Sequence, residues 1–236
     1  SSAASDVYKR QVSQQGIADL TGIDVFSKLQ QLDCSGNTLS ALDISGAAQL
    51  LQLNCSANPD LSALKLPEKN GAFSFLVMLD CSDCALTELS LDSYALLGTL
   101  DCSGNQLAAL DVSANSNLQT VNCSNNQLTT LNFSQNAKLE EVDCSGNQLT
   151  ELDVYNALLQ KLDCSENALP SLFLSECSAL RELDCSQNQL VELDTTGLTL
   201  EILETAGNQR AIVPQPERAG AYSYCLLYTS PSPRDK

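Results

Sequence analysis

Leu32-Asp33-Cys34-Ser35-Gly36-Asn37 is the stretch that decides the fold, because it returns almost unchanged along the chain. Its cysteine recurs as Cys55, Cys81, Cys102, Cys123, Cys144, Cys164 and Cys185, at steps of 21, 26, 21, 21, 21, 20 and 21 residues. A ninth copy, Leu203 to Asn208, carries Thr205 where the cysteine would stand. Self-similarity at a fixed period of this size is the signature of a solenoid, in which each coil contacts only its neighbours.

Aligning the copies on the cysteine brings the apolar residues into columns. One column runs through Leu29, Leu50, Leu76, Leu97, Leu118, Leu139, Leu159, Leu180 and Leu200, and a second lies three positions on, from Leu32 to Leu203. After the asparagine come Leu39, Leu61, Leu86, Leu107, Leu128, Leu149, Leu169 and Leu190, each followed three residues later by another leucine. Leu-x-Cys alternates at period two, so each copy starts as a short strand with Leu and Cys pointing inward. Stacked ~4.8 Å apart, nine such strands span roughly 40 Å. No single copy can bury its own apolar face; stacking does it.

The full pattern, LxxLxLxxNxL with cysteine at the third apolar position, resembles that of the leucine-rich-repeat family, and within it the bacterial 21-residue cysteine-ladder type seen in internalin-like proteins. The resemblance covers nearly all of residues 12–213. It implies an α/β-type repeat solenoid: a curved array with a parallel β-sheet on the concave face and a mostly non-helical convex side. It also implies that Asn37, Asn58, Asn105, Asn126, Asn147, Asn167, Asn188 and Asn208 end their strands and turn inward, where their amides bond neighbouring backbone groups. The domain division that follows is a variant lead-in repeat over 12–31, the array of about nine copies over 32–213, and the start of a C-terminal cap or linker over 214–224.

Three departures from the pattern stand out. Cys84 replaces the asparagine of the third copy, a swap the family tolerates. A five-residue excess before Cys81, spread over Pro59-Asp60 and Glu68 to Phe75, is expected as a bulge on the outer side, where loops absorb length. Arg210 stands where leucine is expected, and Ile212-Val213-Pro214 and Pro216 then read as the array closing.

The two ends read differently from the rest. Ser1 to Gln11, SSAASDVYKRQ, back-translates to a string that resembles a transposase-type sequencing adapter, and Cys225 to Asp235, CLLYTSPSPRD, resembles its counterpart in the opposite orientation. Residues 1–11 and 225–236 are therefore expected to be adapter translation and are set aside from fold reasoning, as a fusion scar would be. Without Lys9, Arg10, Arg234 and Lys236 the chain keeps 8 basic residues, and without Asp6 and Asp235 it keeps 27 acidic ones, a balance of −19 against −17 for all 236 residues.

So acidic a chain argues against nucleic acid and anionic membrane surfaces as partners. The sequence holds no apolar run long enough to cross a bilayer. It holds no histidine, which removes the commonest general base and the usual zinc ligand. Nothing in it pairs a nucleophile with a base, so a non-enzymatic role is expected.

Three constellations could still carry chemistry. The cysteine column sits at inward strand positions, where buried free cysteine behaves as a small hydrophobe, and parallel strands orient neighbouring side chains badly for a disulfide torsion. Cys81 and Cys84 form a CxxC, but each is explained by its place in the repeat and no second pair completes a metal site. The outward residues of the strands form the candidate ligand face: Asp33, Asn54, Asp80, Asp101, Asn122, Asp143, Asp163 and Asp184 in one column, and the more variable Gln31, Gln52, Met78, Thr99, Thr120, Glu141, Lys161 and Glu182 in the other. No cofactor is expected. Calcium along the carboxylate column is the alternative, since oxygen ligands suit it although no loop motif wraps it. By resemblance the chain is read as a protein-binding, or glycan-binding, module of a bacterial surface or secreted protein, acting as a monomer. A rigid spacer in a surface protein, or substrate-presenting repeats of an effector enzyme, are the other readings.

Overall fold

A computed structural model describes residues 8–67 and 74–209. In chain order its strands are β1 (Lys9–Gln11), β2 (Gln31–Asp33), β3 (Ala41–Asp43), β4 (Gln52–Asn54), β5 (Ala63–Lys65), β6 (Met78–Asp80), β7 (Thr99–Asp101), β8 (Thr120–Asn122), β9 (Thr130–Asn132), β10 (Glu141–Asp143), β11 (Glu151–Asp153), β12 (Lys161–Asp163), β13 (Glu182–Asp184) and β14 (Ile202–Glu204). Ten of them, β1-β2-β4-β6-β7-β8-β10-β12-β13-β14, form one parallel sheet in which every coil pairs with the next in identical register. The only helical element among the described residues is a single 3-10 turn, Ile23–Val25. The chain is a parallel β-solenoid, and both the fold class and the non-helical outer side agree with the sequence reading.

From β2 to β13 the sheet strands bury their middle residue and turn the flanking pair outward, which is the period-two pattern read from Leu-x-Cys; the middle residues of the outer strand β5 and of β14 are half-buried, and β1 is exposed. The pairing runs on past the strand: Cys34 N–H donates to Asn54 C=O at 2.8 Å and Gly36 N–H to Ser56 C=O at 2.9 Å, and every later coil repeats the two bonds. The residue at the Gly36 position is held at positive φ throughout. Gly36 and Gly104 (φ 63°) take it without strain, whereas Ala57 (φ 52°) and Glu166 (φ 53°) carry a Cβ into the left-handed region.

The leucine columns, apart from the half-buried Leu64, Leu89 and Leu203 packed at their margin, and all eight ladder cysteines are buried, forming one continuous core. Among these the asparagine amides do the polar work. Asn126 donates to the carbonyls of Cys102, Cys123 and Ser124 at 3.0–3.2 Å and accepts from Leu107 N–H at 2.9 Å, thereby tying its own coil to the preceding one. The same set recurs at Asn58, Asn105, Asn147 and Asn188. Without it, a tight coil lacking internal ladder bonds would bury bare backbone groups, each costing ~1–3 kcal/mol.

Cys84 breaks this column, and the structure shows what compensates. Its thiol reaches the Cys55 and Ser82 carbonyls at 3.4 Å but offers no amide oxygen. The group left without that acceptor is Leu61 N–H, which donates instead to Asn58 C=O at 2.9 Å. That turn exists because Pro59-Asp60 places Leu61 three residues after the asparagine, one more than in the other coils. Part of the excess length and the missing asparagine are thus one adjustment. The rest of the excess lies at 68–73, outside the described residues. Its flanks are held by Tyr94, whose buried hydroxyl donates to Pro67 C=O at 3.0 Å.

A second inward polar column was not read from the sequence. Asn115, Asn136 and Asn156 are buried on the side away from the main sheet. Asn115 donates to Leu91 and Tyr94 carbonyls, Asn136 to Val112 and Asn115 carbonyls, and Asn156 to Asn136 C=O. Ala47, Tyr94 and Cys177 occupy the same position in other coils; the Cys177 thiol donates to Val154 C=O at 3.3 Å. Nearby, short strand pairs β3·β5 and β9·β11 form on the outer side. The second pair stops at Pro170, which has no N–H to continue the bond that Thr150 N–H makes to Thr129 C=O.

Lys9–Gln11 falls in the stretch set aside as adapter translation, yet it pairs with β2. Main-chain pairing to an open sheet edge is indifferent to side chains. Arg10 takes the column position that leucine fills elsewhere, stays exposed, and lies over the Phe26 ring at 5.1 Å. Val12 to Leu20 then follow as the lead-in coil, with Gln15 and Ile17 N–H groups donating to Asn37. The closing segment at Arg210 to Pro216, the cap expected over 214–224 and residues 225–236 lie outside the described residues.

Replacing Asn126 by alanine leaves Leu107 N–H buried without a partner and removes one of the two amide donors from each of the Cys102 and Cys123 carbonyls, which keep Asn105 and Asn147. The expected loss is of order 3 kcal/mol in denaturant unfolding. A loss below ~0.5 kcal/mol would show that the ladder amide is dispensable.

Candidate recognition face

The two outward columns of the main sheet lie side by side because consecutive odd positions of a strand share a face. Gln31, Gln52, Met78, Thr99, Thr120, Glu141, Lys161 and Glu182 open the strands; Asp33, Asn54, Asp80, Asp101, Asn122, Asp143, Asp163 and Asp184 close them. The first column is the more open, with Gln52, Met78, Glu141 and Lys161 exposed. The second is half-buried throughout.

The half-burial of the second column has a structural cause. Asp33 Oδ1 accepts from both the N–H and the hydroxyl of Ser35, at 3.1 and 2.7 Å. Asp80 with Ser82, Asp101 with Ser103, Asp143 with Ser145 and Asp163 with Ser165 repeat the pair of bonds. Asn54 and Asn122 make the same two bonds through an amide oxygen. The column therefore requires an acceptor, and charge is optional, which is why Asp and Asn interchange. The remaining oxygen of each carboxylate but that of Asp101 is left for solvent or a ligand.

Charge along the column is eased locally. Asn122 donates to Asp101 Oδ2 at 3.3 Å, and in the outer column Lys161 Nζ lies 3.6 Å from Glu182 Oε2. Burial, and then the Asp143 and Asp184 carboxylates on the flanking strands, push the Asp163 carboxyl above its ordinary value, against the Ser165 hydrogen bonds. Among the described residues no three Cys, Asp or Glu side chains converge closely enough to hold a metal ion.

Apolar residues interrupt the polar face at Ile202 on the last strand and as a group on the third and fourth coils. Met78 (38% exposed) and Val77 stand on the third coil, with Phe75 just before them and Leu96 at the position equivalent to Phe75 in the fourth. Val77 is laced between its neighbours, donating to Leu51 C=O and accepting from Gly98 N–H. Of this group the sequence reading named only Met78 in the face. The apolar cluster was missed because Phe75 and Val77 precede the strand.

Behind the face the thiols are sealed. All ten described cysteines are free and buried. Burial pushes the Cys34 and Cys185 thiols up to about 12 and raises those between them well above the ordinary value. Cys81 and Cys84 share this fate, with burial the first cause in each. A neutral thiol of this kind is a poor nucleophile and a poor metal ligand.

Comparison with known proteins accords with this geometry. The family profile Leucine Rich repeats (2 copies) matches residues 116–157. The functional domain of InlJ from Listeria monocytogenes, which includes a cysteine ladder, is 28% identical with a TM-score of 0.57, covering 85% of this chain and 53% of that one. A chain of the LRIM1/APL1C complex is 27% identical with a TM-score of 0.66, over 78% of this chain and 36% of that one. A plant peptide hormone receptor in complex with RGF2 shares the fold at 22% identity, with a TM-score of 0.66 over 79% of this chain and 33% of that one. The chain thus spans about half or less of the length of these structures. No curated protein sequence matches it.

Two outcomes follow for stability. Asp163→Asn keeps the acceptor for Ser165 and removes a carboxyl whose raised value means that ionisation costs stability as pH rises. It is expected to raise the thermal midpoint at pH 7 and to change little at pH 3, whereas Asp163→Ala lies ~1 kcal/mol below Asp163→Asn at both; equal stability of the Asn and Ala variants would refute the acceptor argument. For the thiols, the unfolded value of about 8.5 lies far below the folded one, so their contribution is intact below pH 8.5 and falls as pH rises towards 12. Each sealed thiol adds a slope approaching ~1.4 kcal/mol per pH unit, so the urea midpoint should collapse steeply above pH 9. A flat midpoint from pH 8 to 10.5 would mean that the thiols ionise in place.

Proposed function

The chain is a leucine-rich-repeat protein of the cysteine-ladder type, similar to InlJ, and on that premise we propose that it is a non-enzymatic recognition module of a bacterial surface or secreted protein. Its ligand is a protein segment carrying basic residues beside an apolar one, docked on the main sheet face. The observation that carries this reading is the face itself, where the carboxylates of Asp80, Asp101 and Asp143 run along the sheet from the apolar cluster around Met78, Asp80 and Asp143 each with an oxygen outside the Ser turn and Asp101 Oδ2 bonded to Asn122. Buried apolar anchors within a charged rim are how such interfaces divide affinity from orientation. Support also comes from the named neighbours, among them a receptor solved with its peptide and a two-protein complex.

The second reading, a rigid spacer, is favoured by a different observation. Every closing Asp or Asn of the sheet already has a structural use in its Ser turn, so the acidic column needs no ligand to explain it. Panning a random-peptide display library against the chain separates the two. The recognition reading expects basic, apolar-anchored peptides whose binding drops at least ~100-fold in Asp101→Lys/Asp143→Lys and in Met78→Asp. Failure to enrich any sequence, or binding indifferent to those changes, supports the spacer.

A further inference from the structure

A second surface, on the side of the solenoid away from the main sheet, carries exposed aromatic rings on two adjacent coils, Tyr155 and Phe173. In each coil a residue nine positions after the cysteine, or ten in the Cys55 coil with its inserted residue, points outward, and it is Asp43, Asp111, Asn132, Asp153 and Asp194 in five of them. Two residues on stands a Ser or Thr that donates its N–H to that side chain in four of the five, as Ser113 does to Asp111 at 2.9 Å and Ser134 to Asn132 at 2.8 Å. Lys65 and Ser90 take the position in two other coils, and two adjacent coils depart from the rule with aromatic rings. Tyr155 replaces the serine after Asp153, and Phe173 replaces the aspartate of the next coil, although Ser175 is still in place to donate. Tyr155 is 52% and Phe173 67% exposed, and nothing in the core requires either ring outside.

A groove of about 580 Å³ crosses the coils of Asp111, Asn132 and Asp153; the rings do not line it but continue its two columns of positions, Tyr155 that of Ser113 and Ser134, and Phe173 that of Asp111, Asn132 and Asp153. Asp111, Asn132, Ser134, Glu151 and Asp153 line it, and no Lys or Arg does. The Ser113 hydrogen bonds hold the Asp111 carboxyl below its ordinary value, so it stays ionised. At ~4.8 Å per coil, Asp111 and Phe173 lie roughly 15 Å apart, the reach of about five extended residues.

We propose that this outer groove is a second docking site, for an extended segment of a partner protein that carries arginine. The guanidinium is the group that satisfies both halves of the surface: it pairs with carboxylates in a fork geometry and stacks on aromatic faces, which an ammonium does less well. A neutral sugar could stack on the rings, but it would leave three carboxylates unused. The site is independent of the main sheet face, on which Asp101 and Asp143 lie.

Fluorescein-labelled oligo-arginine and oligo-lysine peptides of equal length, titrated against the full chain at ~0.15 M salt, test the proposal by fluorescence polarisation. Phe173→Asp with Tyr155→Ser restores the residues that the array itself uses at these positions, so the fold is retained and circular dichroism verifies it. This double variant adds a negative charge, so general electrostatic attraction would tighten arginine binding. The proposal requires the opposite: arginine binding weakened about tenfold, to the level of lysine. Asp111→Asn with Asp153→Asn should also weaken it about tenfold, while Asp24→Asn with Asp60→Asn, which removes as much charge from neither face, should leave it unchanged. Unchanged or tighter binding in the aromatic variant overturns the site. So does a glycan-array ligand that is lost with the rings but indifferent to Asp111 and Asp153, because that would make the rings a sugar platform.

Discussion

Everything in this structure depends on the asparagine amide at the end of each sheet strand. A coil of about twenty residues with three-residue strands cannot satisfy its own backbone, and its turns are too tight to admit a helix. One side chain that accepts one N–H and donates to two or three carbonyls closes the account inside the core. Because the partners belong to two coils, the bond that satisfies a turn also fixes the register of the stack. Polar satisfaction and order of assembly are the same interaction here, which is why the pairing repeats without a slip from β2 to β14.

A constraint that repeats also shows its own exceptions clearly. Cys84 would be a defect in isolation. Beside the residue inserted at Pro59-Asp60 it is not, because the longer turn lets Leu61 N–H find a carbonyl within its own coil. The same logic separates requirement from habit on the main sheet face. Asn54 and Asn122 make the Ser-turn bonds that their aspartate neighbours make, so the column is selected by the need for an acceptor oxygen. Its negative charge is an addition, and it costs stability where Asp163 lies between two other carboxylates.

The fold was legible because its signal is redundant. Eight copies of one phrase average out local ambiguity that a single strand of three residues could never resolve. The positions of the outward columns came with it, since register follows from alignment. What they do could not be read: an Asp with a Ser two residues on looks the same whether it is solvated or committed to a turn. The second polar column escaped for a related reason. Only three of its members are asparagine, Tyr94, Ala47 and Cys177 disguise the rest, and the 20-residue coil before Cys164 shifts Asn156 by one against the count from the cysteine. Phe173 was visible in principle, as the one aromatic in a column otherwise of Asp, Asn, Ser and Lys. Attention to the strand phrase left that column unaligned.

In an array this regular, information about a ligand resides where a coil differs from the average of its neighbours. Residues that every coil shares answer to stacking, and their chemistry is explained by it. Single exposed apolar residues such as Val25, Val191 and Ile202 are scattered along the chain, but two groups stand together without such an explanation: the apolar cluster of Phe75, Val77, Met78 and Leu96, and the ring pair Tyr155 and Phe173. Each exposes apolar surface to water, which stacking alone would remove, since the repeat's own polar residues fit both places and Ser175 still awaits an acceptor that Phe173 cannot supply. Exposure that the fold neither needs nor benefits from is the physical mark of a surface kept for something outside the chain.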